Sequence, residues 1–334
     1  MSSTTSPPIA DERVRLGMYR MMQEARLFEK RAQDLFLEGL IKGTSHLALG
    51  QEAVAAGFAA ALEPNDLVYC TYRGHVHTLL RGAPMGALMA ELMGRANGIC
   101  GGKGGSMHLT DVSHGAMGSY AIVGAHMPIA AGAAWAAMER GTGQVVVCFF
   151  GDGTTNIGTF HEALNLAVVW RLPVVYVCEN NLYMEYTPIG SVTAVDHPAA
   201  DRASAYGLEP IVVDGNDVDE VYATAARLVG RAREGGGPAL VEAKTYRHGG
   251  HSRADPAKYR PDDEVEAWLA RDPIPAYRER LLEQGVDAPT IDRIDREALE
   301  LVDRATEEAK AGPVPAPDAL ETELWADGGS AWRS

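Results

Sequence analysis

The chain has 334 residues, a formal net charge of −15 at pH 7 and an apolar fraction of 46%. This length and apolar fraction indicate a globular protein with a large core, and no apolar stretch reaches the ~18 residues that suggest a membrane span. The acidic balance argues against a nucleic-acid-binding protein, and four widely spaced cysteines without a CxxC pair predict a reduced, cytoplasmic protein.

The first part of the chain predicts helices that are interrupted by one long loop. Residues 1–11, MSSTTSPPIAD, predict a short disordered tail, because they lack the apolar run of a secretory signal. Residues 97–121 are rich in Gly, Ser and His without periodicity, and they predict a loop that is longer than a compact domain usually contains. Apolar residues at helical spacing predict helices over residues 12–40, 50–62, 84–94 and 128–138.

From residue 144 onward, short β-rich runs alternate with helical patterns. The predicted strands are 144–150, 173–179, 211–213 and 239–246, and the predicted helices are 157–171 and 217–233. This alternation predicts an α/β protein with a doubly wound parallel sheet and helices on both faces.

The chain is predicted to divide near residue 265. We expect an α/β domain over residues 12–265, which begins with a helical extension, and a helical, acidic, proline-containing C-terminal extension over residues 266–334. Residues 261–334 carry 19 acidic and 8 basic side chains. Such a segment is either a solvated helical surface or a region that steers a basic partner.

The segment from Gly151 to Asn181 predicts a βαβ unit with polar residues at one edge. One apolar run stops at Gly-Asp-Gly, and the next stops at Glu-Asn-Asn. The crossover makes the two strands parallel, so Asp152 and Asn181 lie past their carboxyl ends, where α/β proteins bind ligands. A carboxylate and an amide oxygen suit Mg²⁺, which shares its octahedron with phosphate oxygens. The alternative is that Asp152 and Asn156 only cap the helix.

Two other phosphate-binding motifs fail on their spacing. A P-loop would need Gly at Asn97 and Ser or Thr at Gly104, so NGICGGKGG does not match it. A Rossmann fingerprint fails because GDGTTN lacks its last glycine, and the following strand ends in Asn-Asn instead of an acidic residue.

Five separated segments occur in one order along the chain. They are HLALGQEA (46–53), TYRGH (71–75), GKGGSMH (102–108), GDG…NN (151–181) and TYR…GHS…DP (245–256). Together they resemble the α subunit of the E1 component of 2-oxo acid dehydrogenase complexes, of the pyruvate and acetoin type. GDG…NN is the thiamin-diphosphate-binding motif of that family.

The resemblance implies an activity that needs two cofactors and several partners. The cofactors are thiamin diphosphate and Mg²⁺, held in the family's thiamin diphosphate-binding fold. The reaction is oxidative decarboxylation of a 2-oxo acid, with pyruvate as the leading substrate, and transfer of the acyl group to a lipoyl E2. The family works as an α2β2 heterotetramer, in which the β subunit carries the glutamate that activates the cofactor. This chain alone is therefore expected to be inactive.

The resemblance also assigns site residues by position. The metal ligands would be Asp152, Asn181 and the backbone carbonyl of Tyr183. The cofactor-binding residues would be Tyr72, Arg73, Ala121, Val123, Asp152, Gly153, Thr154, Asn181 and His251. The candidate catalytic residues are His251, in a Gly-rich loop over the cofactor, and His46, at the substrate entrance. Histidine can exchange a proton near neutral pH, and Ser252 matches a serine that some members phosphorylate.

Several alternatives stay open at this point. Cleavage of acetoin fits the same motifs, while a branched-chain 2-oxo acid is less favoured because such chains tend to be longer. A non-catalytic binding module is the alternative from another class, and it would be favoured if no thiamin diphosphate bound in the presence of metal. His75 and His108 are expected to form hydrogen bonds within loops.

Overall fold

Helices and parallel strands alternate along the chain, and the computed structural model describes residues 10–323 and residue 325. Residues 1–9 of the expected tail therefore lie outside the described residues. The helices are α1 (Glu12–Leu37), α2 (Glu52–Ala61), α3 (His75–Leu80), α4 (Met85–Leu92), α5 (His126–Arg140), α6 (Gly158–Val169), α7 (Ala200–Ala203), α8 (Val218–Arg233), α9 (Asp262–Leu269), α10 (Pro273–Glu283) and α11 (Ala288–Ala311). The strands are β1 (Leu67–Thr71), β2 (Ala116–Tyr120), β3 (Val146–Gly151), β4 (Val174–Asn180), β5 (Tyr183–Met184), β6 (Thr187–Pro188), β7 (Ile211–Asp214) and β8 (Ala239–Lys244).

Six strands form one sheet in the order β2-β1-β3-β4-β8-β7. All neighbouring strands in it are parallel. Every residue of the central strand β4 is buried, since Val175 and Val177 pack towards α2 and α8, whereas Tyr176 and Cys178 pack towards α5 and α6. Helices thus cover both faces of the sheet, and the predicted doubly wound α/β fold is confirmed.

The prediction of one continuous loop over residues 97–121 is wrong. Residues Ala116–Tyr120 form the edge strand β2, which pairs with β1, and no strand was predicted for β1 either. The sequence AMGSY contains Gly and Ser, which are poor strand formers, so only its pairing with β1 makes it a strand.

The glycine-rich segment before β2 folds around the side-chain carboxylate of Glu91. Glu91 on α4 is fully buried, and its two carboxylate oxygens accept hydrogen bonds from the backbone N–H groups of Cys100, Gly102, Gly104 and Gly105 at 2.8, 2.8, 2.8 and 3.0 Å. Phosphate-binding loops offer the same kind of backbone donors to a ligand. Here a side chain of the protein takes that place, which supports the rejection of a P-loop.

The C-terminal helices pack on the N-terminal ones. Phe28 and Leu35 of α1 join Met89 of α4 and Val302 and Ala305 of α11 in one apolar cluster. The expected boundary at residue 265 falls inside α9, and the division into domains stays a prediction. Among the described helices, none combines the length and the apolar character that a membrane crossing requires.

Candidate active site at the carboxyl edge of the sheet

A cavity of about 160 Å³ opens where β1, β3 and β4 end. It is lined by Gln51, Thr71, Tyr72, Arg73, Val123, Gly151, Asp152, Gly153, Thr154, Glu179, Asn181, Tyr183, Met184, Glu185, Arg247 and His251. Apart from Ala121 and His46, every site residue proposed from the sequence is in this lining. The structure therefore brings together segments that are far apart in the chain.

Asp152 lies directly after β3 and is buried, so it is not a residue on an exposed loop edge. Its side chain is 3% exposed. Oδ1 accepts a hydrogen bond of 2.7 Å from the Gly153 N–H, whereas Oδ2 has no hydrogen-bond partner in the part of the chain that the structure describes. Burial raises the pKa of Asp152 to about 7. A buried carboxylate oxygen without a partner is costly unless a cation or donor completes it.

The helix-capping alternative fails at this position. Asp152–Asn156 forms a short 3₁₀ turn, and α6 begins only at Gly158, where no side chain caps it. The backbone N–H groups nearest the cavity therefore belong to this turn. The helix predicted over residues 157–171 corresponds to α6, which spans Gly158–Val169.

Asn181 is oriented by a residue from a distant segment. Its Nδ2 donates to Gln51 Oε1 at 2.8 Å, and its Oδ1 accepts from the Tyr183 N–H at 3.3 Å. Leu182 between them has φ 73°, a left-handed conformation that is strained for leucine. Because Gln51 occupies the amide nitrogen, Asn181 Oδ1 keeps a lone pair for a metal ion.

Two buried arginines contribute positive charge to a cavity that the carboxylates of Asp152, Glu179 and Glu185 also line. Arg73 and Arg247 are 6% and 2% exposed. Arg73 donates to the backbone oxygen of His251 at 3.2 Å, and Arg247 donates to the Tyr259 hydroxyl at 2.9 Å. Burial, together with Arg247, lowers the pKa of Arg73 to about 10. Among the described residues neither guanidinium forms an ion pair, so an anionic ligand would compensate both charges.

The two candidate catalytic histidines lie next to each other. The ring of His46 lies behind the cavity wall, with its centroid 4.8 Å from that of His251 and 4.5 Å from that of Tyr72. Burial and Arg73 lower the pKa of His251 to about 4 and that of His46 to about 3. Both rings are therefore neutral at pH 7. They can donate or accept a hydrogen bond there, but they do not titrate near pH 6.5 as an unperturbed histidine does.

Comparison with known proteins identifies the family. The family model described as the dehydrogenase E1 component matches residues 19–318. The chain belongs to this family. It is 43% identical over 311 residues to the α subunit of the acetoin:2,6-dichlorophenolindophenol oxidoreductase of Bacillus subtilis, covering 93% of each chain. It is 42% identical over 326 residues to the pyruvate dehydrogenase E1 component subunit α of Zymomonas mobilis, covering 95% of this chain and 92% of that protein.

Membership in the E1 family confirms several predictions from the sequence. The chain is an E1 α subunit of a thiamin-diphosphate-dependent dehydrogenase, and its designation as α implies a β subunit as a partner. The magnesium ion and the roles of individual residues stay predictions.

Sequence reasoning missed five polar residues of the E1 cavity, of which Thr71 belongs to the motif TYRGH. The other four, Gln51, Glu179, Glu185 and Arg247, also line it and were not proposed as site residues. Gln51, Glu179 and Arg247 stand inside motifs that were used for recognition, namely HLALGQEA, ENN and TYR. Position within a motif was therefore the available signal for them. Glu185 carries no such signal, because its contribution depends on the hairpin formed by β5 and β6.

The E1 cavity fits a diphosphate bridged by a divalent cation. Gly153 leaves no room for a side chain, because a Cβ atom there would lie 2.6 Å from Cγ of Met184. The described residues contain no group of three His, Cys, Asp or Glu side chains that could hold a metal ion. One carboxylate with neutral oxygens instead suits Mg²⁺, which takes its remaining ligands from phosphate and water.

Proposed function

We propose that this E1 α subunit acts with a β subunit to decarboxylate pyruvate oxidatively, and that the acyl group passes to a lipoyl E2. The observation that carries the proposal is the convergence of Asp152, Arg73 and Arg247 on one cavity. A carboxylate with an open oxygen and two guanidiniums without anionic partners match a magnesium diphosphate.

Each residue then has a defined task. Asp152, Asn181 and the Tyr183 carbonyl would hold Mg²⁺, while Arg73 and Arg247 would neutralise the diphosphate. When bound, thiamin diphosphate supplies the nucleophilic carbon that makes cleavage beside a carbonyl possible. The neutral His251 would donate a hydrogen bond to the reacting groups, and the β subunit would close the open side of the cavity and exclude water.

The dimensions of the cavity support a site shared with another chain. Its volume of about 160 Å³ is below the ~300 Å³ at which small-molecule sites begin. Ile122 and Val123 are 73% and 45% exposed, and Val123 lines the cavity. We propose that the rest of the cofactor lies between this chain and the β subunit in an α2β2 heterotetramer, within the cytoplasm.

Acetoin is the second candidate substrate. The α subunits of acetoin oxidoreductases from Bacillus subtilis and Cupriavidus necator are each 43% identical to this chain, and the pyruvate dehydrogenase subunit of Zymomonas mobilis is 42% identical. These values do not separate the two substrates. Branched-chain 2-oxo acids remain a third, less favoured candidate.

Turnover of a substrate panel tests the proposal. The chain should be purified alone and together with its β subunit, and pyruvate, acetoin and a branched-chain 2-oxo acid compared with thiamin diphosphate, Mg²⁺ and a dye as electron acceptor. We expect no turnover by the chain alone and the highest kcat/KM for pyruvate in the assembled enzyme. A higher kcat/KM for acetoin would make acetoin the substrate in place of pyruvate. Activity of the single chain would refute the site shared with the β subunit. Absence of thiamin diphosphate binding would favour a non-catalytic binding module.

A further inference from the structure

Four buried polar side chains form a hydrogen-bonded series behind the active-site cavity. Glu29, His75, Ser106 and Ser45 are 0%, 0%, 6% and 2% exposed. His75 Nδ1 lies 2.8 Å from Glu29 Oε2, and His75 Nε2 lies 2.7 Å from Ser106 Oγ. Ser106 Oγ in turn lies 2.6 Å from Ser45 Oγ. The site described above uses none of these four side chains.

The series has one consistent direction of donation when His75 is neutral. Glu29 can only accept, so His75 Nδ1–H donates to it, and Nε2 then accepts from the Ser106 hydroxyl. Ser106 Oγ accepts in turn from the Ser45 hydroxyl. This is the order of groups in a serine–histidine–acid triad, but the Ser106 oxygen is buried and already engaged on both sides. The series is therefore suited to holding segments in place rather than to attacking a substrate.

The segment held by this series is residues 45–49. Ser45 is bound through its hydroxyl, and the backbone N–H of Ala48 donates to Glu29 Oε1 at 2.9 Å. Both anchors lead back to His75, which bridges Glu29 and Ser106. Loss of a single member would leave buried partners without hydrogen bonds, which is expensive in a dry interior.

Segment 45–49 in turn supports the loop that carries His251. The backbone N–H of Arg253 donates to the Ser45 carbonyl at 3.2 Å, and that of His248 donates to the Leu49 carbonyl at 2.9 Å. Both ends of the stretch 248–253 are therefore fixed to this segment. His46 belongs to the same segment, and its ring contacts His251 directly.

We propose that His75 is a positioning residue, which acts with Glu29, Ser106 and Ser45 to fix segment 45–49 and so places His46 and His251 at the cavity. The inference rests on the proposed function only in taking His251 as a residue that acts on the cofactor or substrate. The fixed position of the loop follows from the hydrogen bonds themselves.

The test compares Ser45→Ala and His75→Gln with the wild type in the enzyme assembled with its β subunit. Trypsin cleavage after Arg253 should become roughly 10-fold faster and kcat roughly 10-fold lower in Ser45→Ala, because small displacements of positioned groups slow reactions by such factors. The Kd for thiamin diphosphate with Mg²⁺, measured by calorimetry, should rise less than kcat falls, because Asp152, Asn181 and Tyr183, which would hold the metal, make no hydrogen bond to segment 45–49 among the described residues. Arg73, which donates to the Leu47 carbonyl of that segment, accounts for the part of Kd that does change. His75→Gln should show larger changes of the same kind.

A matched control removes a buried hydroxyl elsewhere. Thr306 is 1% exposed, and its hydroxyl donates to the Val302 carbonyl at 2.7 Å and accepts from Arg31 at 2.9 Å, between α11 and α1. Thr306→Val should lower the unfolding temperature but leave cleavage after Arg253 and kcat unchanged. The inference is overturned if Ser45→Ala keeps the wild-type cleavage rate and kcat, or if Thr306→Val changes both equally.

The outcomes separate this inference from the proposed function. If His75→Gln does not assemble, Ser45→Ala decides alone. If the wild type neither binds thiamin diphosphate nor turns over substrate, the proposed function has failed. The cleavage rates after Arg253 still show in that case whether the series holds the loop.

Discussion

Asp152 is suited to binding a ligand but lowers the stability of the ligand-free fold. Its buried Oδ2 has no hydrogen-bond partner among the described residues, and burial raises the pKa of Asp152 to about 7. A folded chain without ligand therefore carries an unfavourable group, as functional sites often do. A cation bound at Oδ2 would remove that penalty.

Replacing Asp152 by Asn should separate ligand binding from stability. Asn keeps the volume and can still accept the Gly153 N–H, but it offers no negative charge to Mg²⁺. We expect at least 100-fold weaker Mg²⁺-dependent binding of thiamin diphosphate to the assembled enzyme, since loss of a charged ligand costs about 3 kcal/mol or more. The unfolding temperature without ligand should stay equal or rise. Calorimetric titration and thermal unfolding measure the two effects, and unchanged affinity would remove Asp152 from the metal site.

The residues that could be predicted from the sequence are those that follow strands. Asp152 and Asn181 come directly after apolar runs, and parallel strands bring their carboxyl ends together by rule. Gln51 could not be placed in this way, because its bond to Asn181 joins positions 130 residues apart. The left-handed backbone conformation of Leu182 could not be predicted from the sequence either, since leucine rarely adopts it.

At the scale of elements, the loop around Glu91 depends on a single side chain. Four backbone N–H groups donate to its carboxylate, and such charge-assisted bonds are individually stronger than neutral ones. The loop ends at Ser106, which is a member of the buried series around His75. The conformation of the loop therefore also affects the position of that series.

Glu91→Gln should therefore destabilise the protein by about 1–3 kcal/mol, because the amide nitrogen cannot accept and leaves partly buried donors unpaired. Urea denaturation measures the loss, and tryptic cleavage after Lys103 should accelerate. Glu307→Gln is the control on an exposed helical surface, where the ion pair to Lys310 at 3.4 Å is worth less than ~1 kcal/mol. Equal effects of the two substitutions would contradict the role of Glu91.

Elements were predictable where the local pattern agrees with the fold. The buried strands β3 and β4 begin with continuous apolar runs, as strands covered on both faces should, whereas β8 is interrupted by the buried Glu242. The edge strand β2 has no such pattern, and its strand geometry comes from pairing with β1. Elements that the sequence patterns did not predict, such as β2, therefore owe their conformation to contacts between distant segments.

For the whole molecule, buried neutral histidines predict a loss of stability in mild acid. His126 is 0% exposed, its Nε2–H donates to the Phe149 carbonyl at 2.7 Å, and burial lowers its pKa to about 4. The unfolded chain binds a proton here below pH ~6.5, whereas the folded chain stays neutral until about pH 4. The contribution of His126 to stability is thus complete above pH ~6.5 and falls as the pH drops towards 4.

Urea denaturation at pH 7, 6 and 5 measures this dependence. The wild type should lose about 2 kcal/mol from His126 between pH 7 and pH 5, on top of losses from His46 and His251 in the same direction. His126→Gln keeps an amide donor for Phe149 O but cannot titrate, so its stability should fall less steeply. Parallel pH profiles for the two proteins would show that His126 does not carry the effect.

The packing of α11 on α1 also bears on how the protein is made. The apolar side of α1, with Phe28 and Leu35, leaves the ribosome first, but Val302 and Ala305, which cover it, are synthesised about 270 residues later. At ordinary translation rates that interval is on the order of 15 to 50 s. During this interval the nascent chain exposes the apolar side of α1 to solvent, so chaperones have to shield that surface. A prematurely terminated chain would aggregate rather than yield a shorter working enzyme.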